Sequence, residues 1–377
     1  MNNTNPTHSP FIVRQARLAE AFTKSGFDCV ALNPGPSLMY LTGLNFHLME
    51  RPVIAVFLPA KAPVLILPRL ESLKLEGLPF AIRAFPYDED PSEWPGVFQS
   101  AFRAAGIEDA KVGVEPICLR FLELRMLERA APKASFISAE DSLAALRKFK
   151  DESEVATMRA AVKIAQRGLL ATLPVIKAGV TQREIAAELM VQLLRAGGEP
   201  EYAFSPIVSG GPNSANPHAS PSDRPLQIGD LLVIDWGTSY KGYISDLTRT
   251  FAIGQVEPEF MQIARIVAEA NAAGRATAGP GVAASLVDKA ARDVIEQAGY
   301  GAYFTTRTGH GIGMEVHEEP YIRAANPLIL QPGMAFTIEP GIYLPGRNGV
   351  RVEDDVVITK DGLECLSDLP RELRVLG

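Results

Sequence analysis

The chain has 377 residues, 47% of them hydrophobic and 21% charged, and a formal net charge of −7. That length and composition describe a globular protein with room for two domains, each with its own core. The negative charge argues against a general nucleic-acid binder, which needs a basic footprint to neutralise phosphates, and makes a small or neutral ligand the better expectation.

In chain order, the opening MNNTNPTHSP is polar and lacks the cationic and apolar regions of a secretory signal, so residues 1–10 are expected to form a polar or disordered tail. Phe11 to Ser25 has helical spacing and stops at Gly26, after which FDCVAL, PVIAVFLP and APVLILP read as strands. The longest apolar stretch, VIAVFLPAKAPVLILP, is broken by a lysine and three prolines and cannot be a membrane-spanning helix, so a soluble, cytoplasmic protein is expected. PYDEDPSEWPG, 86–96, reads as an acidic, proline-rich surface loop, followed by a helix, the strand KVGVE and a helix from Pro116 to about Ala130. Cys29, Cys118 and Cys365 are too few and too far apart for a disulfide framework or a CxxC metal site, which leaves small, buried, reduced side chains. The texture changes at LRKFKDESEVATMRAA, where Asp151 or Ser153 can cap a long helix. These signals place a small α/β domain over 11–140 and a second domain over 141–377.

The second domain shows helices near 151–171, 181–196, 257–276 and 282–298, interleaved with strands joined by short turns. That pattern predicts an α+β layout, a mainly antiparallel sheet with helices packed against it. In DWGTSYKGYISDLTRT, 235–250, two strands flank a turn centred between Tyr240 and Lys241, which makes Asp235 and Asp246 cross-strand partners. Like charges placed so destabilise a sheet unless something positive lies between them. The pattern recurs in FTIEPGIYLPGRNGVRVEDDVVIT, where Glu339 and Glu353 lie symmetrically about Gly346. Alternation there puts Val350, Val352, Val356 and Ile358 on one face, and Arg351 with Glu353 on the other.

Of five histidines, His218, His310 and His317 sit in NPHAS, TGHGIG and EVHEEP, among Gly, Pro, Asn or acidic residues. A lone loop histidine is usually solvated; beside two facing acid pairs, these suggest a metal site. Four carboxylates and one imidazole suit two divalent cations of moderately hard character. Such a pair lowers the pKa of the water it shares and supplies a nucleophile near neutral pH, the chemistry of a metallohydrolase. The competing reading pairs the acids with Arg249, Arg347 or Arg351 as solvated hairpin residues.

At these residues the sequence resembles the pita-bread metallopeptidases, the group of Xaa-Pro dipeptidases (prolidases), aminopeptidases P and methionine aminopeptidases. DWGTSYKGYISDLTRT, TGHGIGMEVHEEP, EPGIYLPGRNGVRVEDD and SGGPNSANPH carry the resemblance from about residue 150 to the end. YLTGLNFHLMERP resembles a segment of the creatinase-like N-terminal α/β domain found in the proline-specific branch. The resemblance implies a pita-bread catalytic domain preceded by that smaller domain, and a homodimer. It makes Asp235, Asp246, His310, Glu339 and Glu353 the ligands of two metals (manganese, cobalt or zinc), with Asp246 and Glu353 bridging. It implies that His218 and His317 contact the scissile carbonyl and that Glu339 is the general base. Arg351 and Tyr343 match positions that line the substrate pocket. His47 reads either as a substrate contact across a dimer interface or as a surface histidine, and Phe204 either as a wall of the proline pocket or as plain core. Tyr243 and Thr248 read either as hydrogen-bonders that orient Asp235 or Asp246 or as residues that simply favour a strand.

The implied activity is that of an Xaa-Pro dipeptidase acting on proline-containing peptides, with no nucleic-acid or membrane partner. The alternatives are an aminopeptidase P acting on longer peptides, a non-catalytic interaction protein on the same scaffold, and a hydrolase or lyase of a small carboxylated molecule.

Overall fold

The computed structural model describes residues 9–201 and 203–377. Most of the expected N-terminal tail, residues 1–8, lies outside the described residues. The chain divides into two compact units, one ending at Arg147 and the other beginning at Lys148.

The first unit opens with α1 (Pro10–Ser25), where proline takes the first helical position and Gly26, at φ 75°, ends the helix. It continues through β1 (Cys29–Leu32), α2 (Pro36–Thr42), β2 (Ile54–Phe57), β3 (Val64–Pro68) and β4 (Arg83–Tyr87), then α3 (Trp94–Ala105), β5 (Lys111–Val114), α4 (Phe121–Ala130), β6 (Ser135–Ser138) and α5 (Glu140–Arg147). The strands form a mixed sheet of order β4-β3-β2-β1-β5-β6, and α3 and α4 bury Phe98, Phe102 and Leu127 against it. The acidic segment 86–96 is less of a loop than its composition suggests. Pro86 and Tyr87 belong to edge strand β4, where a missing N–H is tolerated, and the indole of Trp94 donates to the Asp88 carbonyl at the start of α3. Helix α4 starts at Phe121 and not Pro116, because Cys118 and Leu119 first turn back onto the Glu115 carbonyl. The three cysteines are free. Cys29 is buried, which pushes its thiol up to about 12 with help from Asp28, whereas Cys118 and Cys365 are only half-buried, against expectation.

The second unit begins with α6 (Glu152–Thr172), capped by Asp151 in a reciprocal capping box with Glu154. It continues with α7 (Gln182–Arg195), β7 (Ile207–Gly210), β8 (Leu231–Tyr240), β9 (Tyr243–Ile253), α8 (Pro258–Thr277), α9 (Ala284–Gln297), β10 (Gly309–Gly311), β11 (Glu318–Ile322) and β12 (Ala335–Ile338). The remaining strands are β13 (Gly341–Tyr343), β14 (Gly349–Arg351), β15 (Asp354–Ile358), β16 (Leu363–Cys365) and β17 (Arg374–Leu376). The expected single antiparallel sheet is instead two larger sheets, β17-β9-β8-β7 and β11-β10-β12-β15-β16, plus the short β13–β14 ribbon. Among the described strands of this second unit, only β17, parallel to β9, departs from antiparallel pairing. Trp236, fully buried, ties the first sheet to α6 by donating to the Ala165 carbonyl at 2.9 Å. No helix of the described residues is long and apolar enough to cross a membrane.

Candidate metal centre

The centre is built where two hairpins meet. In β8–β9, Lys241 and Gly242 both have positive φ, 50° and 76°, the geometry a two-residue hairpin turn requires. The turn therefore lies one residue later than the sequence suggests, and the register changes by two. Asp235 faces Thr248 and Asp246 faces Gly237, so the aspartates are diagonal neighbours and not direct partners. A shift of two keeps both on one face, which is why the chemical reading survives the corrected register. Gly237 is required there: a Cβ on it would stand 1.8 Å from the Ser245 carbonyl oxygen.

The second hairpin keeps one register through β12–β15 and β13–β14, with Ile338 opposite Asp354 and Gly341 opposite Arg351. That register sets Glu339 across from Glu353, as the symmetry about Gly346 predicts. Val350 and Val352 turn away into one apolar cluster, and Val356 and Ile358 into another. The hairpins are stitched together through β9. The Glu353 amide donates to the Thr248 carbonyl at 3.1 Å, and Arg249 donates to the Glu353 carbonyl at 2.7 Å. Thr250 and Arg351 exchange a further pair of hydrogen bonds.

His310, on β10, completes the group, with Nε2 lying 3.3 Å from Glu339 and 3.6 Å from Asp246. Its Nδ1 is 3.2 Å from the Gly311 carbonyl, an oxygen that only accepts, so Nδ1 carries the proton and Nε2 turns its lone pair to the cavity. Burial holds the imidazole well below its usual pKa, and His317 and Arg307 add to the effect. A neutral ring with a free Nε2 is the ligating form.

The acids show the complementary strain. Burial, then the charge of Glu353 and of Asp235, raises Asp246 well above the carboxylate range. Glu353 is raised by burial, Glu339 and Asp235, and Glu339 is pushed up to about 7, chiefly by burial. Asp235 Oδ1 and Asp246 Oδ1 are buried without a hydrogen-bond partner, a costly state unless a cation meets them. With neutral His310, four carboxylates and Arg351 leave the site short of three positive charges. Ligand atoms of Asp246, His310 and Glu353 lie within 4.8 Å of one another, a group that can hold a metal ion. Hard oxygen donors, one imidazole and orphaned carboxylate oxygens fit divalent cations.

The other expected residues divide between the floor and the rim of a cavity of about 710 Å3. Arg351 lies in the floor, donating to Asp235 at 2.6 Å, Tyr343 at 2.8 Å, Thr248 at 3.0 Å and the Pro217 carbonyl at 3.3 Å. Tyr343, expected at the pocket surface, lies beneath it and holds Arg351 from behind. Thr248 donates to Glu353 at 2.6 Å, not to either aspartate, and the Tyr243 hydroxyl goes to Glu154 at the start of α6. His218, His317 and Phe204 line the rim, with the His317 ring edge-on to His310 at 4.2 Å between centroids. His47 belongs to the N-terminal unit, exposed between α2 and β2, and the cavity of the second unit is built without it. The sequence reading missed Asp355, whose carboxylate accepts the Asp246 amide at 3.0 Å, and Arg307 on the cavity wall. Both adjoin motif residues, so proximity to Glu353 and His310 was the available signal.

Comparison with known proteins identifies relatives of both parts of the chain. Residues 156–360 match metallopeptidase family M24 and residues 14–149 the creatinase/prolidase N-terminal domain. The chain is 38% identical to a probable dipeptidase PepE of Mycobacterium tuberculosis over 96% of each chain. It is 34% identical to an Xaa-Pro dipeptidase of Lactobacillus delbrueckii subsp. lactis, over 96% of this chain and 98% of that one. The solved structure of an X-Pro aminopeptidase from Thermotoga maritima superposes with a TM-score of 0.84 at 32% identity, covering 96% of this chain and 99% of that one.

Proposed function

This chain belongs to metallopeptidase family M24, and from that premise we propose that it hydrolyses the Xaa-Pro peptide bond of dipeptides with two divalent cations. The observation that carries the reading is the convergence of four carboxylates and a ligating imidazole, with two buried carboxylate oxygens left unpartnered. Asp235, Asp246, His310, Glu339 and Glu353 would hold the metals, with Asp246 and Glu353 shared between them. Manganese, cobalt or zinc suits this donor set. When bound, the cations supply a Lewis acid for the peptide carbonyl and a water acidic enough to attack near neutral pH.

The chain's own residues supply the rest. Glu339, 3.3 Å from His310 in the cavity, takes a proton from the attacking water and passes it to the departing proline nitrogen. His317, lowered by burial and then by Arg307 and His218, is neutral at pH 7 and donates to the developing oxyanion. His218, exposed where it lines the cavity, is a second contact to the carbonyl. Arg351 orients Asp235 and opposes the upward push that burial gives its carboxyl.

The second reading, favoured by the likeness to the Thermotoga protein, is an aminopeptidase P acting on longer peptides. Incubating Ala-Pro, Ala-Pro-Ala and longer peptides with the protein and a metal panel separates the two. Preference for the dipeptide supports the first reading, and preference for the longer peptides overturns it. From the family resemblance and acidic composition we further assign a cytoplasmic homodimer without nucleic-acid or membrane partners. We assign the N-terminal domain to residues 11–140 and the catalytic domain to residues 141–377.

A further inference from the structure

Two guanidinium groups reach the cavity, and they differ in what they still have to give. Arg351 is buried in the floor and spends its donors on Asp235, Tyr343, Thr248 and the Pro217 carbonyl. Arg307 is half-buried on the wall and, among the described residues, has no carboxylate or carbonyl within bonding distance. Its guanidinium carbon lies over the Tyr321 ring, 4.9 Å from the ring centre. A cation–π contact of this kind holds the group in place without engaging its N–H groups in hydrogen bonds.

The segment that carries Arg307 is fixed from behind. Arg292 on α9 donates to the Phe304 and Thr306 carbonyls at 3.0 Å each, and is itself paired with buried Asp288. Asp288 also accepts from the Thr308 hydroxyl at 2.8 Å, and the Glu339 amide donates to the Thr308 carbonyl at 2.7 Å. A loop held on both sides presents a free cation, and beside it the Thr306 hydroxyl is buried without a partner. Arg307 also acts electrostatically on His310, His317 and Glu339, so it stands close to the chemistry.

Resting on the Xaa-Pro dipeptidase reading, we propose that Arg307, and not Arg351, anchors a carboxylate of the substrate. An Xaa-Pro dipeptide offers two sources: the carboxylate of proline, present in every such substrate, and the side chain of an acidic Xaa. The floor is poorly suited to this role because four of the five N–H groups of its guanidinium are already given to the protein, too few remaining for a paired grip on a carboxylate, while the wall cation has N–H groups to spare.

The test uses metal-loaded full-length protein, wild type and Arg307→Met, with two substrate pairs: Ala-Pro against Ala-Pro amide, and Glu-Pro against Gln-Pro. The wild-type advantage of the charged member, in kcat/KM, shrinks in Arg307→Met by roughly 10- to 100-fold, mostly through KM, the scale of a charge-assisted hydrogen-bond pair. Collapse in the first pair identifies the proline carboxylate, and collapse in the second the Xaa side chain. Arg307→Lys restores part of the advantage, and serves alone if the methionine variant does not fold. Equal ratios in wild type and variants for both pairs overturn the assignment. Should wild type cleave none of the four peptides, the dipeptidase reading fails. Calorimetric binding of the same peptides then decides Arg307 separately: a carboxylate preference lost in Arg307→Met supports it, and no such preference overturns it.

Discussion

The floor and the rim of the cavity are built from different kinds of structure. The floor, Asp235, Asp246, Glu353 and Arg351, lies on or directly beside paired strands, is buried, and is cross-linked between two hairpins by Thr248 and Thr250. The rim, His218, His317, Arg307 and Phe204, lies on connecting segments with side chains partly or largely exposed. Metal geometry tolerates little displacement and needs strands to hold it. Substrate choice depends on side chains that can differ without disturbing the floor.

The largest effect is expected from breaking the floor. Asp246→Asn removes a buried charge that the proposed metals share, so turnover falls by roughly 1,000-fold or more, the scale of losing several kcal/mol of charge stabilisation. Metal content measured by atomic emission falls with it. Retained metal with retained turnover would show that Asp246 is not a ligand. A rim change separates cleanly from this: His317→Ala lowers kcat by roughly 100-fold while metal content stays at the wild-type value. Unchanged turnover in that variant refutes the oxyanion role.

The floor also sets a pH signature in the metal-free protein. Glu339, Asp246 and Glu353 have folded-state pKa values above their unfolded ones, so the fold binds protons that the unfolded chain has released. Their contribution is fully present below the unfolded values and is lost as pH rises, for Glu339 through about 7. His310 and His317 are lowered, so their contribution has the opposite sign, rising with pH up to the free-histidine value near 6.5. Above about 6.5 the histidines no longer contribute, and stability of the metal-free protein falls toward pH 8. Denaturant unfolding with a chelator at pH 6.5, 7 and 8 measures this, and Glu339→Gln flattens the slope. A stability that rises over this range in chelator contradicts the assignment.

The same division explains what the sequence made legible. The floor was readable because strand periodicity and turn symmetry are local rules: Glu339 and Glu353 face each other in the register counted from Gly346. The first hairpin was misplaced by one residue because Lys241, a non-glycine residue, adopts positive φ beside Gly242, which the turn signal alone did not reveal. Of the rim, His218 and His317 stood out by their Gly-, Pro- and acid-rich segments, but their roles were readable only by resemblance. Nothing local in RTGHG says that Arg307 lacks a partner while Arg351 has four, since that depends on α9 and on strands far away in the chain. Tyr343 and Tyr243 were misplaced for the same reason, their hydroxyls being claimed by Arg351 and Glu154. In the first unit, short elements such as β4 were hidden by the acidic and proline-rich composition of their neighbours.

Phe204 is where floor and rim touch, and it gives the smallest expected effect. Its ring lines the cavity, and its Cε1 atom stands 3.0 Å from where a Cβ on Gly237 would lie, two residues from Asp235. A plain core role and a substrate role therefore predict different things for Phe204→Ala. Loss of packing alone lowers Tm and leaves selectivity intact. As a wall of the proline site, the ring discriminates between substrates, and its removal lowers the preference for Ala-Pro over Ala-Ala by roughly tenfold, the scale of a small change in an apolar pocket. Metal content stays at the wild-type value, because the strands beneath still hold the ligands. A fall in Tm with the preference unchanged would move Phe204 out of the rim and into the scaffold.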